Sequence, residues 1–135
     1  MRQRALIDTD VVSFLFKRDS RTLGYLEIMD SFAVWAISFQ TRAELEFWAI
    51  NKQWSMKRRD ELRYFLSPFE VIRSDDTCIA HWAQLRSDRM RAGRPMHPED
   101  AWAAATALAA GTPLITNNYR DFRDIGGLEV LSQSP

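Results

Sequence analysis

The stretch LIDTDV, residues 6–11, decides the fold of this 135-residue chain. A short apolar run over residues 4–7 meets Asp8, Thr9 and Asp10 directly, which is typical of a buried strand that ends in a polar turn. In a parallel α/β sheet, ligands collect in the crevice outside the carboxyl ends of the strands. We therefore expect Asp8 and Asp10 at such a crevice.

Outward from this stretch, strands alternate with helices. Further strands are predicted at residues 33–37, 69–72, 114–116 and 128–131. Helices are predicted at residues 11–16, 22–30, 40–54 and 57–66, from an N-cap at Ser74 past Leu85, and from Pro98 to Gly111. Alternation with short connections predicts an α/β fold of three layers, α/β/α, around a central parallel sheet of about five strands. Without repeats or linkers, residues 1–135 are expected to form a single domain.

Composition narrows the class of protein. Hydrophobic residues make up 46% and charged residues 27% of the chain, as in an ordinary globular domain. No apolar run approaches the roughly 20 residues that span a bilayer, and the N-terminus does not resemble a signal peptide, so a cytoplasmic location is expected. Cys78 is the single cysteine, and His81 and His97 are the two histidines, which excludes an internal disulfide and a histidine-rich metal site.

The charges balance overall but cluster locally. Eighteen basic and eighteen acidic residues cancel, which is not the footprint of a strongly basic nucleic-acid-binding protein. Two basic clusters stand out: Lys57, Arg58, Arg59 and Arg63, and then Arg86, Arg89, Arg91 and Arg94. The second cluster is a candidate for contacts with RNA phosphates, and a solvated helix face is the alternative.

Three acids fall where the predicted topology brings strand and helix ends together. Asp8 follows the first strand, Asp100 lies in the first turn of an alanine-rich helix, and Glu44 lies about one turn into another helix. Each one alone also fits a cap, a helix-dipole partner or a solvated side chain. Carboxylates that converge cannot all stay ionised without a counter-charge, and Mg²⁺ or Mn²⁺ is the natural one. Glu46 differs, because Arg42 precedes it by four residues and gives it a surface partner.

These motifs together resemble the PIN-domain ribonucleases, in particular the VapC toxins. The resemblance rests on LIDTDV at 6–11, TRAEL at 41–45, PEDAWAAA at 98–105, TNNYRDF at 116–122 and GLEV at 127–130. It covers essentially the whole chain in the right order. It implies a Mg²⁺- or Mn²⁺-dependent endoribonuclease, a hydrolase that acts as the toxin of a toxin–antitoxin pair. It also implies a homodimer and inhibition by a cognate VapB-type antitoxin.

The same resemblance implies roles for individual residues. Asp8, Glu44 and Asp100 correspond to the catalytic, metal-binding acids, and Asp121 to the fourth. Supporting positions are Thr9, Asp10, Thr116 and Asn118. Asp10 stands where the family commonly has asparagine, which adds a charge. Because Asn118 occupies a position that is acidic in some relatives, either Asp121 or a water held by Asn118 completes the ligand set.

Two other functions and one surface remain as hypotheses. Asp8 and Asp10 also fit the opening motif of a haloacid-dehalogenase-like phosphatase with Asp8 as nucleophile, but no lysine follows Lys57 to bind the phosphate. A non-catalytic PIN-like binding module is the second alternative. A guanidinium of the antitoxin is expected to insert among the acids. A groove of aromatic side chains is the candidate anchor for the antitoxin's helix, and a position in the core is the alternative for each of them. The candidate groove residues are Phe14, Phe16, Tyr25 and Trp48.

Overall fold

A five-stranded parallel sheet forms the centre of the computed structural model, which describes residues 2–133. Its strand order is β3-β2-β1-β4-β5, and every neighbouring pair is parallel. The strands are β1 (Arg2–Ile7), β2 (Phe32–Ser38), β3 (Glu70–Ile72), β4 (Leu114–Ile115) and β5 (Val130–Leu131). Because β1 lies in the middle of the sheet, Asp8 emerges at the centre of its carboxyl edge.

Helices cover both faces of this sheet, so the predicted three-layer α/β/α fold is confirmed. The helices are α1 (Thr9–Lys17), α2 (Thr22–Met29), α3 (Phe39–Asn51), α4 (Met56–Leu66), α5 (Asp76–Arg91), α6 (Pro98–Ala110) and α7 (Tyr119–Phe122). No helix in residues 2–133 is both long and apolar enough to cross a membrane.

Alternation along the central strands builds two hydrophobic cores. Ala5 and Ile7 of β1 point into a core with α1 to α4, whereas Leu6 points into the opposite core with α6 and α7. This is the period of two that a pleated strand imposes. Small side chains such as Ala104 let α6 lie close against its face of the sheet. The helices are thereby held where their N-terminal ends reach the carboxyl edge of the sheet.

The ends of several elements depart from the sequence prediction. Asp75, not Ser74, caps α5, because its carboxylate accepts a hydrogen bond from the Cys78 N–H at 2.8 Å. The helix predicted to reach residue 54 ends at Asn51, where a residue with positive φ, Gln53, follows two positions later. Helix α7 was not predicted, since four residues are too few to show a helical period.

The alanine-rich helix begins and ends as predicted. Pro98 occupies its first turn, where a missing N–H costs no helical hydrogen bond. Gly111 follows the last turn with φ 66°, a conformation that favours glycine over residues with a side chain. The first turn of α6 therefore has a defined position, and with it Glu99 and Asp100.

Candidate active site

Asp8 is held in one orientation at the junction of β1 and α1. One carboxylate oxygen, Oδ1, accepts a hydrogen bond from the Thr9 N–H at 2.9 Å and so caps α1. The other, Oδ2, accepts from the Thr116 hydroxyl at 2.7 Å. Burial raises the pKa of Asp8, and these two hydrogen bonds oppose the rise. A buried carboxylate with fixed geometry is thus the central acid of this edge.

Asp10 lies beside it, in the first turn of α1. Its Oδ1 accepts from the Val11 N–H at 2.7 Å, and its Oδ2 accepts from the Asn117 N–H at 3.1 Å. Burial first, and then repulsion by Asp8, raise the pKa of Asp10 to about 7. The loop after β4 thereby closes onto the loop after β1. Asn117 in turn accepts a hydrogen bond from the Tyr25 hydroxyl at 2.6 Å.

Two helices add further acids to the same cavity. Glu44 comes from α3, and Glu99 and Asp100 come from the first turn of α6. The cavity has a volume of about 250 Å³ and is lined by Asp8, Thr9, Asp10, Glu44, Trp48, Glu99, Asp100 and Asn118. Burial raises the pKa of Glu44, with smaller contributions from Asp8 and Glu99. Burial, then Asp8, then Asp121 raise the pKa of Asp100 to about 6.

Asp121 stands at the edge of this cavity and not inside it. Its carboxylate accepts a hydrogen bond from the Asn118 side-chain N–H at 2.7 Å, and Asn118 lines the acidic cavity. Asp121 itself lines an adjoining cavity of about 150 Å³, which shares Asp100 with the first. Asp121 thus neighbours both Asp100 and Asn118 at the edge of the acidic cavity.

This fold and this cluster of acids match a known family over most of the chain. The sequence model of the PIN domain matches residues 5–128. The chain belongs to the PIN domain family. The match covers the strands and helices that supply the acidic cavity. It places the chain outside the haloacid-dehalogenase phosphatases, the alternative that Asp8 and Asp10 alone left open.

Relatives of this PIN domain chain have similar lengths. The tRNA(fMet)-specific endonuclease VapC of Shigella flexneri is 28% identical over 125 residues, which are 93% of this chain and 94% of the relative. The DNA-bound VapBC of Salmonella typhimurium contains a chain with a TM-score of 0.77 and 27% identity, covering 98% of both chains. VapBC2 of Rickettsia felis bound to promoter DNA has a TM-score of 0.83 over 96% and 98%, and at 24% identity it shows the fold.

Nucleases of the PIN domain family depend on a metal ion, and the donor atoms of this site fit one. Within residues 2–133, no three histidine, cysteine or acidic side chains are arranged as a ready-made metal cage. The residues that line the cavity offer carboxylate, amide and hydroxyl oxygens and neither an imidazole nor a thiolate, a set that suits a hard cation. Mg²⁺ takes one or two carboxylates and keeps several waters, so it needs no closed cage. Burial and the neighbouring carboxylates raise the pKa values of Asp10 and Asp100, so a cation in the cavity would favour their charged forms.

Residues that sequence reasoning missed stabilise the PIN domain site from beneath the acids. The Thr41 hydroxyl lies 2.7 Å from the Thr9 hydroxyl and joins α3 to α1 beneath the acids. Thr116, expected to line the site, is fully buried and acts through its bond to Asp8. Glu99 could have been found as the acid next to Asp100, whereas Asn117 contributes through its backbone and leaves no sequence signal.

Three of the four arginines proposed as RNA contacts, Arg86, Arg89 and Arg94, have partners within the protein. Arg89 and Arg94 both bind Asp124, at 2.6 and 3.1 Å. Arg86 lies over the Trp82 ring, 5.2 Å from its centroid. That ring stacks on Trp102 at 4.8 Å, so the bulky Trp102 is explained by aromatic packing between α5 and α6.

For one of the four candidate groove residues, the alternative of a position in the core is confirmed. Tyr25 is fully buried and belongs to the core, because its hydroxyl is hydrogen-bonded inside the protein. Phe14 and Phe16 are half-buried against that core. Trp48 lines the acidic cavity.

Proposed function

We propose that this chain is a metal-dependent endoribonuclease and the toxin of a toxin–antitoxin pair. The observation that carries the proposal is the convergence of Asp8, Asp10, Glu44 and Asp100 in one cavity at the carboxyl edge of a PIN domain sheet. A relative that aligns over nearly its whole length is an endonuclease of tRNA, which supports RNA as the substrate.

In this proposal Asp8, Glu44 and Asp100 hold the cation, and Asp121 or a water on Asn118 completes its ligands. We infer Mg²⁺ or Mn²⁺, because the cavity lining supplies several carboxylates and neither a histidine nor a cysteine. When bound, the cation lowers the pKa of a water and stabilises the negative charge that develops on the phosphate during hydrolysis.

The chain's own residues prepare this chemistry. Thr116 and the Thr9 N–H fix the two oxygens of Asp8, so the carboxylate need not reorient when a ligand arrives. Asp10 holds a proton near neutral pH in the metal-free chain, because burial and Asp8 disfavour its charge. A cation in the cavity removes that penalty, and binding is accompanied by proton release.

We further infer a small partner protein encoded beside this chain, and a homodimer in the cytoplasm. Solved structures that are similar to this chain are VapBC complexes, which supports the inference of a partner protein. The negative cavity suits a guanidinium, which makes bidentate hydrogen bonds to carboxylates and takes the place of the cation's charge.

Metal removal tests the enzymatic part of the proposal. The purified chain, stripped of metal, should cleave RNA only after Mg²⁺ or Mn²⁺ is added, and excess chelator should stop the reaction. The cleavage products are separated on a denaturing gel. Undiminished cleavage in excess EDTA would rule out the metal mechanism.

A further inference from the structure

Four cations lie together where α1, α3 and α4 meet, away from the acids. Lys17 and Arg18 end α1, Lys52 caps the end of α3, and Arg58 lies in the first turn of α4. We call these four residues the cationic cleft. Three of them, Lys17, Arg18 and Arg58, line a cavity of about 620 Å³ together with Glu61, and Lys52 lies next to Lys17.

None of these four side chains forms an ion pair with an acid in the part of the chain that the structure describes. Asp19, the acid next to them in sequence, is instead bound by Arg21 at 2.8 Å. Partial burial, and repulsion by Lys52 and Arg58, lower the pKa of Lys17. Like charges are thus held together at a cost in free energy that a bound anion would offset.

Aromatic rings hold these cations in place. The Arg58 guanidinium lies 4.3 Å from the centroid of Trp54 and 5.2 Å from that of Phe16. Those two rings stack on each other with centroids 5.7 Å apart. Such contacts reduce the freedom of the guanidinium, so less conformational entropy is lost when it binds a ligand.

One side chain, Trp48, lies beside both the acidic cavity and a member of the cationic cleft. Trp48 lines the acidic cavity beside Glu44, and the Lys52 ammonium lies 5.6 Å from the centroid of the Trp48 ring. Glu44, Trp48 and Lys52 are spaced four residues apart and follow one face of α3. Eight residues rise about 12 Å along a helix, a distance that a short stretch of single-stranded RNA spans.

We propose that the cationic cleft binds the phosphodiester backbone of the RNA strand that leaves the catalytic cavity, with Trp48 between the two sites. This inference rests on the proposed ribonuclease function. Proteins that bind single strands combine a positive groove with aromatic side chains, as this surface does. Arg89 and Arg94 line the adjoining cavity of about 150 Å³. Both are paired with Asp124, so less of their charge is available to an RNA phosphate.

The test measures RNA binding without cleavage. The full chain carrying Asp8→Asn is titrated with a fluorescently labelled, unstructured single-stranded RNA in Mg²⁺ buffer at several salt concentrations. Lys17→Gln with Lys52→Gln should weaken binding about tenfold and lower the slope of log affinity against log salt by about 1.4, roughly 0.7 for each phosphate contact on a single strand. Lys57→Gln, an exposed lysine of α4 outside the cleft, is the control and should change neither value by more than a small amount.

The outcomes separate this inference from the proposed function. The double substitution removes repulsion between cations, so the melting temperature should stay the same or rise. A loss of binding would then not be caused by unfolding. If the unmutated chain cleaves RNA but the double variant binds like Lys57→Gln, the cleft is not on the RNA path. If RNA binding is unchanged and affinity for the partner protein falls instead, the ligand is an acidic protein segment and the inference is wrong. An unmutated chain that cleaves no RNA overturns the proposed function itself.

Discussion

At the scale of single residues, the acids of the site are held in fixed positions in which their negative charges are unfavourable. Asp8 and Asp10 are each fixed by two hydrogen bonds, and burial raises the pKa of both. Sequence reasoning predicted that Asp8 and Asp10 lie in the crevice outside the carboxyl ends of the parallel strands. It did not predict the backbone N–H of Asn117 as a donor, since that depends on the conformation of the loop.

This charge makes the stability of the metal-free chain depend on pH. The pKa values of Asp10 and Asp100, about 7 and about 6, lie above those of an unfolded chain. Between about pH 4 and pH 7 the native state therefore holds protons that the unfolded state has lost. The free energy of unfolding in EDTA, measured by urea titration, should therefore fall as the pH rises from about 4 to about 7.

Asp8→Asn provides the matched control, because it removes the charge that repels both neighbours. Its stability should decline less steeply over the same pH range. A metal-free wild-type chain that gains stability as the pH rises from about 4 to about 7 would contradict this account of the cavity.

At the scale of elements, α3 separates a site residue from a surface residue only two positions away. Glu44 faces the acidic cavity, whereas Glu46 accepts a hydrogen bond from Arg42 at 2.6 Å, four residues earlier in the helix. The predicted pair of Arg42 and Glu46 is confirmed. Helical period was enough to separate the two faces. It was not enough to place the ends of α3 and α5, which depend on local caps.

Glu44→Gln should lower the cleavage rate by about a hundredfold or more, since it removes a charge from the proposed ligands. Glu46→Gln should cleave like wild type and change the free energy of unfolding by less than about 0.5 kcal/mol, because an exposed ion pair contributes little. Single-turnover cleavage and urea unfolding of both variants give the comparison. An inactive Glu46→Gln beside an active Glu44→Gln would reverse the orientation assigned to α3.

At the scale of the whole molecule, topology explains why distant sequence motifs form one site. Residues 8, 44 and 100 come from the ends of β1, α3 and α6, and the strand order places β1 at the centre. Alternation of strands and helices predicted this architecture. The charged surface was less predictable. The net charge of the chain gave no indication of the cationic cleft, because the members of the cleft come from three separate helices.

A partner protein should act on this assembled cavity. The product of the neighbouring gene, co-expressed with the chain, should form a tight complex and suppress RNA cleavage through an inserted basic side chain. The complex is measured by co-purification, and inhibition by cleavage assays with the partner's basic residue changed to alanine. Full inhibition by that alanine variant would show that the inserted positive charge does not cause the inhibition.

The acids at the carboxyl edge of the sheet are the central claim, and RNA cleavage by Asp8→Asn and Asp100→Asn tests them most directly. Both variants keep the shape of the side chain and remove a buried negative charge, so each should fold with an equal or higher melting temperature. In saturating Mg²⁺, single-turnover cleavage should fall by about a hundredfold or more in each variant. Folded variants that cleave RNA at the wild-type rate would contradict the assignment of this cavity as the active site.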